Sequence, residues 1–580
     1  MYKEFFQKHG WRYLPGVVFI VLSSYIGTLS PRALGNVIDA LSAAPIDRDA
    51  VVYHTVSIVI IAVAVFITRF IWRYFIIGNS LHLERFLREK FFAHLQRQSA
   101  NFFNHEKTGN LLAYAINDIG AIRNTFGNSI SMVVGGITTA FSVIVAMAGG
   151  INSQLTIYVL LPIPIIIVVT YYLGRFIRRR FRRVQEIFAL TSDRVNENIN
   201  GIRVIKAYAQ EDEECDKFEV INQDMRKAQA RMVRVSSLMN PTIQFMFGIS
   251  FLIALIVGSN LVREGTMSVG EFVAFNTYLG MIIRPVLSIG RIINTLQRGM
   301  ASIKRLEALM MIKPEVVDGT CDHTVQPVQG EIEIKDLTFN YPDIEEPALS
   351  NISLHVQKGQ ILGIIGHTGS GKTTLVNLLL KQYNVPDGTI FFDGEDINHF
   401  PLDTLRENIG YVPQDNFLFS STVGENIRFF NPRYSQEQIE LAAQQSRIYD
   451  NIIDFPRKFE TVVGERGVTL SGGQKQRISI ARALIKQPSL LILDDSLSAV
   501  DTRTEDEILT NLQTVLQNKT GIIIAHRISA VQHADIIVVL DHGQIVERGT
   551  HAELLDLDGH YAQIYHEQLE QDAKKEASAL

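Results

Sequence analysis

A glycine-rich loop that ends in lysine and threonine is the strongest chemical signal in the sequence. Residues 366–373 have the pattern Gly-x-x-x-x-Gly-Lys-Thr. The N–H groups of such a loop and the N-terminus of the following helix bind phosphate groups. Lys372 would neutralise β- and γ-phosphate oxygens, and the Thr373 hydroxyl would bind Mg²⁺. The predicted nucleotide contacts in this segment are Gly366, Thr368, Gly369, Ser370, Gly371, Lys372, Thr373 and Thr374.

Two adjacent acids, Asp494 and Asp495, follow the apolar run 490–493. With the phosphate-binding loop upstream, Asp494 is predicted to hold Mg²⁺, so the sequence predicts a site for Mg-ATP. Hydrolysis needs a further carboxylate that reaches the attacking water, and Glu is the usual residue there. Asp495 is one methylene shorter, and we therefore expect slow hydrolysis at this site.

A second glycine pair lies in residues 470–477, which read Leu-Ser-Gly-Gly-Gln-Lys-Gln-Arg. A serine and two glycines at the start of a helix are suited to binding an anion. One domain does not need two sites for the γ-phosphate, so this segment is predicted to cap the ATP of a facing domain. The residues concerned are Ser471, Gly472, Gly473 and Gln474.

The elements that must position these residues belong to an α/β domain predicted over residues 330–569. A half-exposed strand is indicated by the alternation at residues 331–334, and a buried strand at 361–365 runs directly into the loop. A helix over 374–380 follows, which is the context that the loop requires. Residues 490–493 read as a second buried parallel strand.

The first half of the chain is predicted to be an all-α membrane domain over residues 1–305, joined to the α/β domain by a linker at 306–329. Six apolar segments are long enough to cross a bilayer. They cover about 13–31, 55–78, 127–150, 154–174, 243–262 and 272–294. The connections after the second and fourth segments are too long and too regular for loops, so we predict helical extensions with a coupling element at their tips. Residues 570–580 form a polar tail.

Lysine and arginine placement predicts the orientation in the membrane. The long connections are strongly basic, notably over residues 175–183, which places both termini in the cytoplasm, where ATP is available. Four arginines lie within or beside the apolar segments, and they read either as snorkelling side chains near the inner leaflet or as the lining of a substrate cavity. They are Arg69, Arg73, Arg284 and Arg291.

The net charge and the cysteines of the chain argue against certain partners and sites. The 580 residues carry a net charge of −5, which argues against a nucleic-acid partner. The two cysteines, Cys215 and Cys321, lie in polar stretches without metal-ligand spacing, so neither a disulfide framework nor a zinc site is predicted.

The motifs and their order resemble the ABC transporter family, in particular exporters with six spans followed by one nucleotide domain. The resemblance covers essentially the whole chain and identifies residues 470–474 as the family signature. It implies that Gln414 senses Mg²⁺ and the attacking water, that His526 is the switch histidine, and that Tyr341 stacks on adenine. It also implies that Asp501 lies in the D-loop.

One departure from the family pattern implies a partner chain. Family members that hydrolyse ATP at both sites have Glu where this chain has Asp495, whereas the signature here is intact. The chain therefore resembles the degenerate-site subunit of a bacterial heterodimeric multidrug exporter. Its partner would be a second half-transporter with the catalytic Glu, and its cofactors would be ATP and Mg²⁺. The resemblance further implies hydrophobic small-molecule substrates, the bacterial plasma membrane, and cytoplasmic coupling through residues 197–203.

Three alternatives remain open on the sequence. Asp495 serves adequately in a homodimer, or the chain exports lipids or peptides with the same architecture, or it is an ATP-gated regulator that transports nothing. Substrate assays separate the exporters from one another. Active, ATP-dependent movement of solute in vesicles separates them from the regulator.

Overall fold

The computed structural model describes residues 2–43, 45–318, 328–342, 344–464, 467, 470–496, 507–508, 510–511, 514, 516–517 and 519–579, without the side chains beyond 570. Asp501 and Cys321, both singled out from the sequence, lie outside the described residues. The chain divides into two compact units. The first comprises Met1–His94 and Gly109–Met311, and the second comprises Leu95–Thr108 and Ile312–Leu580.

The first unit is helical and contains the six membrane-spanning candidates that the sequence predicts. By length and composition, the structure has six helical stretches able to cross a membrane: Tyr2–Ser42, Arg48–Gln96, Thr108–Gly150, Ser153–Asn200, Glu211–Arg263 and Val269–Met310. Their helices are Tyr2–His9, Tyr13–Gly27, Ser30–Ser42, Arg48–Gln96, Thr108–Ala113, Ile119–Asn124, Ile130–Gly150, Ser153–Leu160, Pro162–Asn200, Ile202–Ala207, Glu211–Ser236, Met239–Arg263 and Val269–Met310.

Helix boundaries in this unit have local causes. The third span ends at Gly150, and the Asn152 side chain accepts a hydrogen bond from the N–H of Leu155 to begin the fourth, so the predicted short turn is present. The sixth span begins with a capping box between Ser268 and Glu271. The helices are longer than the apolar segments because polar and charged residues continue the helical pattern beyond each span.

The third span contains two wide turns of π type, Tyr114–Asp118 and Thr125–Ser129. The buried Asp118 accepts a hydrogen bond of 2.7 Å from the Ser302 hydroxyl and forms an ion pair of 2.5 Å with Arg305. Both partners lie on the sixth span, so the irregular part of the third span is held against it by polar contacts to the buried Asp118.

The second unit contains two sheets. Their strands are β1 Ile332–Phe339, β2 Leu349–Val356, β3 Ile361–Ile365, β4 Ile390–Phe392, β5 Glu395–Asp396, β6 Ile409–Val412, β7 Leu490–Asp494, β8 Thr520–Ile524, β9 Ile536–Asp541 and β10 Gln544–Gly549. A four-stranded antiparallel sheet has the order β2-β1-β4-β5, and a six-stranded sheet has the order β10-β9-β3-β8-β7-β6. In the larger sheet every neighbouring pair is parallel except β9 and β10.

Helices cover this sheet and build a separate helical region. They are Ala100–His105, Lys372–Leu379, Leu402–Glu407, Val423–Arg428, Gln436–Gln445, Tyr449–Ile453, Gly472–Leu484, His551–Asp556 and His560–Ala579. One apolar core joins the two sheets, and a second lies on the other face of the larger sheet. A third core, with Ile427, Ile439 and Ile478, belongs to the helical region. β3, β7 and β8 are buried almost throughout, as expected for central parallel strands.

Candidate functional site

The predicted nucleotide residues follow the carboxyl ends of four parallel strands. The glycine-rich loop follows β3 and His526 follows β8, while Asp494 ends β7 and Gln414 lies two residues beyond β6. Because parallel strands point the same way, their carboxyl ends share one edge of the sheet, the usual ligand site of such folds. The fold therefore brings these sequence-distant residues to one edge.

The loop between β3 and its helix requires glycine at two positions. A Cβ on Gly366 would lie 2.1 Å from the Leu540 carbonyl oxygen, and one on Gly371 would lie 2.9 Å from the Ala348 oxygen. Gly371 also has a φ of +102°, directly before the helix Lys372–Leu379. The close packing and the left-handed residue hold the loop open around the helix N-terminus, whose N–H groups favour phosphate.

Lys372 is buried beneath this loop. Its Nζ donates hydrogen bonds of 2.8 Å to the carbonyl oxygens of both Gly366 and His367. Burial lowers the pKa of Lys372, while Asp494 and Asp495 oppose that shift. The cation thus lies among acceptors that a bound phosphate would replace or join, which fits the predicted contact with β- and γ-phosphate oxygens.

Thr373 and Asp494 form a donor set that fits Mg²⁺. The Thr373 Oγ1 lies 3.5 Å from Asp494 Oδ1. Asp494 is 2 % exposed, and its Oδ2 has no hydrogen-bond partner among the described residues. Burial raises the pKa of this carboxyl group, the neighbouring Asp495 adds to the rise, and the Thr373 hydroxyl opposes it. A divalent cation would satisfy the unpaired oxygen, and hydroxyl and carboxylate oxygens are the ligands that Mg²⁺ prefers.

Asp495 follows Asp494, the predicted metal ligand, and contacts Gln414, the predicted sensor. The Gln414 Nε2 donates a hydrogen bond of 3.1 Å to Asp495 Oδ2. The Asp495 N–H donates to the Ile524 carbonyl oxygen at 2.9 Å, and its φ is +45°. Aspartate tolerates this left-handed conformation better than most residues, and such backbone geometry often accompanies function. His526 is half-buried after β8, close enough to lower the pKa of Asp494.

Tyr341 lies at the first turn of the loop helix. Its hydroxyl is 2.9 Å from Thr374 Oγ1, and its ring packs edge-on against Tyr383 at 5.1 Å. Thr368 is exposed in the loop, and Ser370 is buried with its carbonyl oxygen bound by the Gly543 N–H. The predicted adenine contact and the loop residues therefore occupy one continuous region.

The signature segment lies elsewhere in the second unit. Ser471 caps the helix Gly472–Leu484, and its side chain and that of Gln474 form a reciprocal capping box, with bonds of 3.3 Å and 3.0 Å. Ser471 and Gly472 are exposed. Within the described part of the chain, no hydrogen bond joins this segment to the glycine-rich loop. An exposed helix N-terminus away from the chain's own site is the arrangement that completion of another domain's site requires.

Sequence reasoning missed the residues of Leu95–Thr108 that pack within the second unit. The Asn101 Nδ2 donates to Glu315 Oε1 at 2.9 Å, and the Asn104 Nδ2 donates to the Tyr383 hydroxyl at 3.1 Å. Because Tyr383 packs on Tyr341, this segment is linked to the nucleotide region by direct contacts. The available signal was a polar break after the second span followed by Phe102 and Phe103.

Comparison with known proteins agrees with this architecture. Residues 14–286 match the family described as ABC transporter transmembrane region, and residues 349–498 match the family described as ABC transporter. The probable multidrug resistance ABC transporter ATP-binding/permease protein YheI of Bacillus subtilis is 39% identical over 97% of this chain and 96% of its own length. The multidrug resistance-like ATP-binding protein MdlA of Escherichia coli is 37% identical over 98% and 96%.

One further relative and one solved structure also match most of the chain. The ATP-dependent lipid A-core flippase of Aromatoleum aromaticum is 34% identical over 88% of this chain and 85% of its own length. The structure of a bacterial Atm1-family ABC exporter with ATP bound matches with a TM-score of 0.78 and 27% identity, covering 96% of this chain and 99% of that one. With six membrane-spanning candidates followed by an ATPase domain, and with relatives matched along nearly its full length, this chain belongs to the ABC transporter family.

Proposed function

We propose that this chain is one half of a heterodimeric exporter that uses ATP to move hydrophobic or amphipathic compounds across the bacterial plasma membrane. Its own ATP site hydrolyses slowly, and its signature completes the site of a partner chain that carries the catalytic Glu. The observation that carries the proposal is Asp495, which stands beside the metal-site acid in a chain whose signature is intact.

Different residues would bind the phosphates, hold Mg²⁺ and orient the attacking water. Lys372 and the loop N–H groups hold the phosphates, while Thr373 and Asp494 hold Mg²⁺, which neutralises charge on the phosphate oxygens when bound. Gln414 and Asp495 form the pair that would orient water, and their 3.1 Å contact ties the shorter carboxylate to the glutamine. A base held back by roughly 1 Å orients the attacking water poorly, at a cost of about 100-fold in rate.

The exposed signature supports association with a second chain. A bound ATP would lie between this chain's loop and a facing signature, while Ser471–Gln474 would lie against the partner's ATP. Each nucleotide then contributes binding free energy to the closed pair and shifts the population from an inward-open to an outward-open arrangement. Hydrolysis at the partner's site returns the pair to its starting arrangement.

The tip of the second cytoplasmic extension supports coupling to a partner. The helix Pro162–Asn200 ends beside the short helix Ile202–Ala207, and this tip exposes several large apolar side chains. Ile199 is 64% exposed and Tyr208 is 74% exposed. Contiguous exposed apolar residues at the end of a rigid helix pair indicate a protein contact. We place the coupling region of residues 197–203 in that contact.

Co-purification from native membranes tests the heterodimer. The expected result is a second, similar chain with Glu at the position of Asp495, and inside-out vesicles containing both chains should accumulate an amphipathic dye when ATP is added. A purified single chain that forms a symmetric pair, hydrolyses ATP rapidly and transports dye would support the homodimer instead. ATP binding without ATP-dependent accumulation of any solute would support the regulator.

Lipid export is the second candidate, because a relative 34% identical over 88% of this chain is named as a lipid A-core flippase. Its distinguishing result is ATP-dependent movement of a labelled lipid between leaflets of reconstituted vesicles, without accumulation of dye. Both activities use the same ATP site, so nucleotide assays alone do not separate them.

A further inference from the structure

A cationic groove lies between two cytoplasmic extensions of the first unit. The helices Pro162–Asn200 and Glu211–Ser236 border a cavity of about 520 Å³. Its charged lining consists of five cations and one carboxylate: Arg179, Arg180, Arg183, Lys227, Arg231 and Asp224. The volume is in the range of small-molecule sites, and the excess of positive charge selects an anion.

Most of this charge has no compensation from nearby carboxylates. Lys227 lies 3.7 Å from Asp224, and Arg183 pairs with an acid one turn away on its own helix. Among the residues that the structure describes, Arg180 donates to the backbone oxygen of Arg231 at 3.4 Å and has no carboxylate within 4.0 Å. Over the described ranges, neither Arg179 nor Arg231 has a carboxylate within 4.0 Å. Like charges held together this way repel one another, and a bound anion would relieve that repulsion.

An exposed apolar stripe leads from the span directly into the groove. Its members follow one another at intervals of three or four residues, so they share one helix face. They are Leu161, Ile165, Val168, Tyr172 and Phe176, each between 47% and 62% exposed. The next residues on this face are Arg179, Arg180 and Arg183. From Leu161 to Tyr172 the helix rises about 16 Å, close to the depth of one leaflet.

We propose that this groove binds the phosphate head group of an anionic phospholipid from the cytoplasmic leaflet, with the acyl chains along the exposed stripe. The phosphate diester would accept charge-assisted hydrogen bonds from the arginines. Phe176, at the lip of the groove, would contact the first methylene groups of the chains. A soluble phosphate would use the cations but not the stripe, which is why the continuity of the two surfaces favours a lipid.

Short-chain lipid titration tests this site on the purified full-length chain in neutral detergent. Dihexanoyl phosphatidylglycerol is titrated by calorimetry, alongside dihexanoyl phosphatidylcholine and glycerol 3-phosphate. The groove variant combines Arg179→Gln with Arg231→Gln. The matched control combines Arg182→Gln with Arg226→Gln, which removes the same charge from the same two helices outside the groove.

The expected result is tightest binding of phosphatidylglycerol, weakened about 25-fold in the groove variant and less than twofold in the control. Equal binding of glycerol 3-phosphate would overturn the lipid assignment in favour of a soluble phosphate. Equal losses in both variants would mean diffuse attraction, and no loss in either would remove the groove from lipid binding. If light scattering shows instead that the groove variant no longer associates with other chains, while its lipid binding is unchanged, the surface is a protein contact. Should that variant not fold, Arg179→Lys with Arg231→Lys must retain most of the affinity and Phe176→Ser must lower it for the lipid alone.

Discussion

The substitution Asp495→Glu tests most directly whether side-chain length limits ATP hydrolysis at this chain's own site. In Asp495→Glu, the carboxylate advances by roughly 1 Å or more, the displacement that can cost about 100-fold in rate, or about 2.7 kcal/mol of barrier. The Gln414 amide, now 3.1 Å from Asp495 Oδ2, must move aside to accommodate it. We therefore expect the rate of ATP hydrolysis by the purified chain to rise by one to two orders of magnitude.

The same substitution carries a backbone cost. Asp495 has a φ of +45°, and glutamate lacks the local hydrogen bonding that lets aspartate adopt this region readily. We expect a destabilisation of at most about 1 kcal/mol, seen as a Tm lower by a few degrees. Asp495→Asn is the matched control, because asparagine keeps the length and tolerates the conformation but lacks the charge. It should bind ATP normally and show no rise in rate.

The assay is phosphate release at saturating Mg-ATP, with nucleotide affinity measured separately on each variant. A glutamate variant that folds, binds ATP as the parent does and hydrolyses it no faster would refute the argument from side-chain length. If hydrolysis at this site proves slow in that case, its cause must lie elsewhere, for example in the signature that would face this site.

Three further groups of substitutions probe separate parts of the second unit. Lys372→Ala should weaken ATP binding by about 10- to 100-fold, because a charge-assisted hydrogen bond is lost, whereas the exposed Lys358→Ala should not; nucleotide titration measures both. Ser471→Ala should cost about 1 kcal/mol of stability through loss of the helix cap, and in a mixed pair it should slow hydrolysis at the partner's site while ATP affinity at this chain's own loop is unchanged. Asn104→Ala and Tyr383→Phe remove the same hydrogen bond, so each should lower the free energy of unfolding of the second unit by about 1 kcal/mol with little change in ATP binding, and unequal effects in thermal unfolding would contradict the direct contact.

Local patterns predicted much of the ATP-binding unit. The strand expected at 361–365 is β3 Ile361–Ile365, and the run at 490–493 is β7 with Asp494 at its end. The helix expected over 374–380 begins earlier, at Lys372, because the loop's last residues already adopt helical geometry. These features depend on short-range spacing and on buried strands, which leave a strong signal in any sequence.

Contacts between distant segments left no comparable signal. Asn104 and Tyr383 are 279 positions apart, and nothing in either neighbourhood identifies the other. The left-handed backbone of Asp495 was equally invisible, because one unusual φ does not alter the periodicity around it. The apolar segments gave the number of spans but not their length, since the helices extend through polar residues that hydropathy counts as loops.

The wide turns Tyr114–Asp118 and Thr125–Ser129 change the direction in which the later side chains of the third span point. Each such turn inserts one extra residue, and together they rotate the remainder of the span by about 200° relative to an uninterrupted helix. Val143 and Met147 lie further along the same span and are fully buried in a core shared with residues of the later spans. Removing a single residue from this stretch would shorten the helix by only about 1.5 Å but would rotate both side chains by about 100° about the helix axis. We therefore expect the third span to tolerate substitutions far better than deletions.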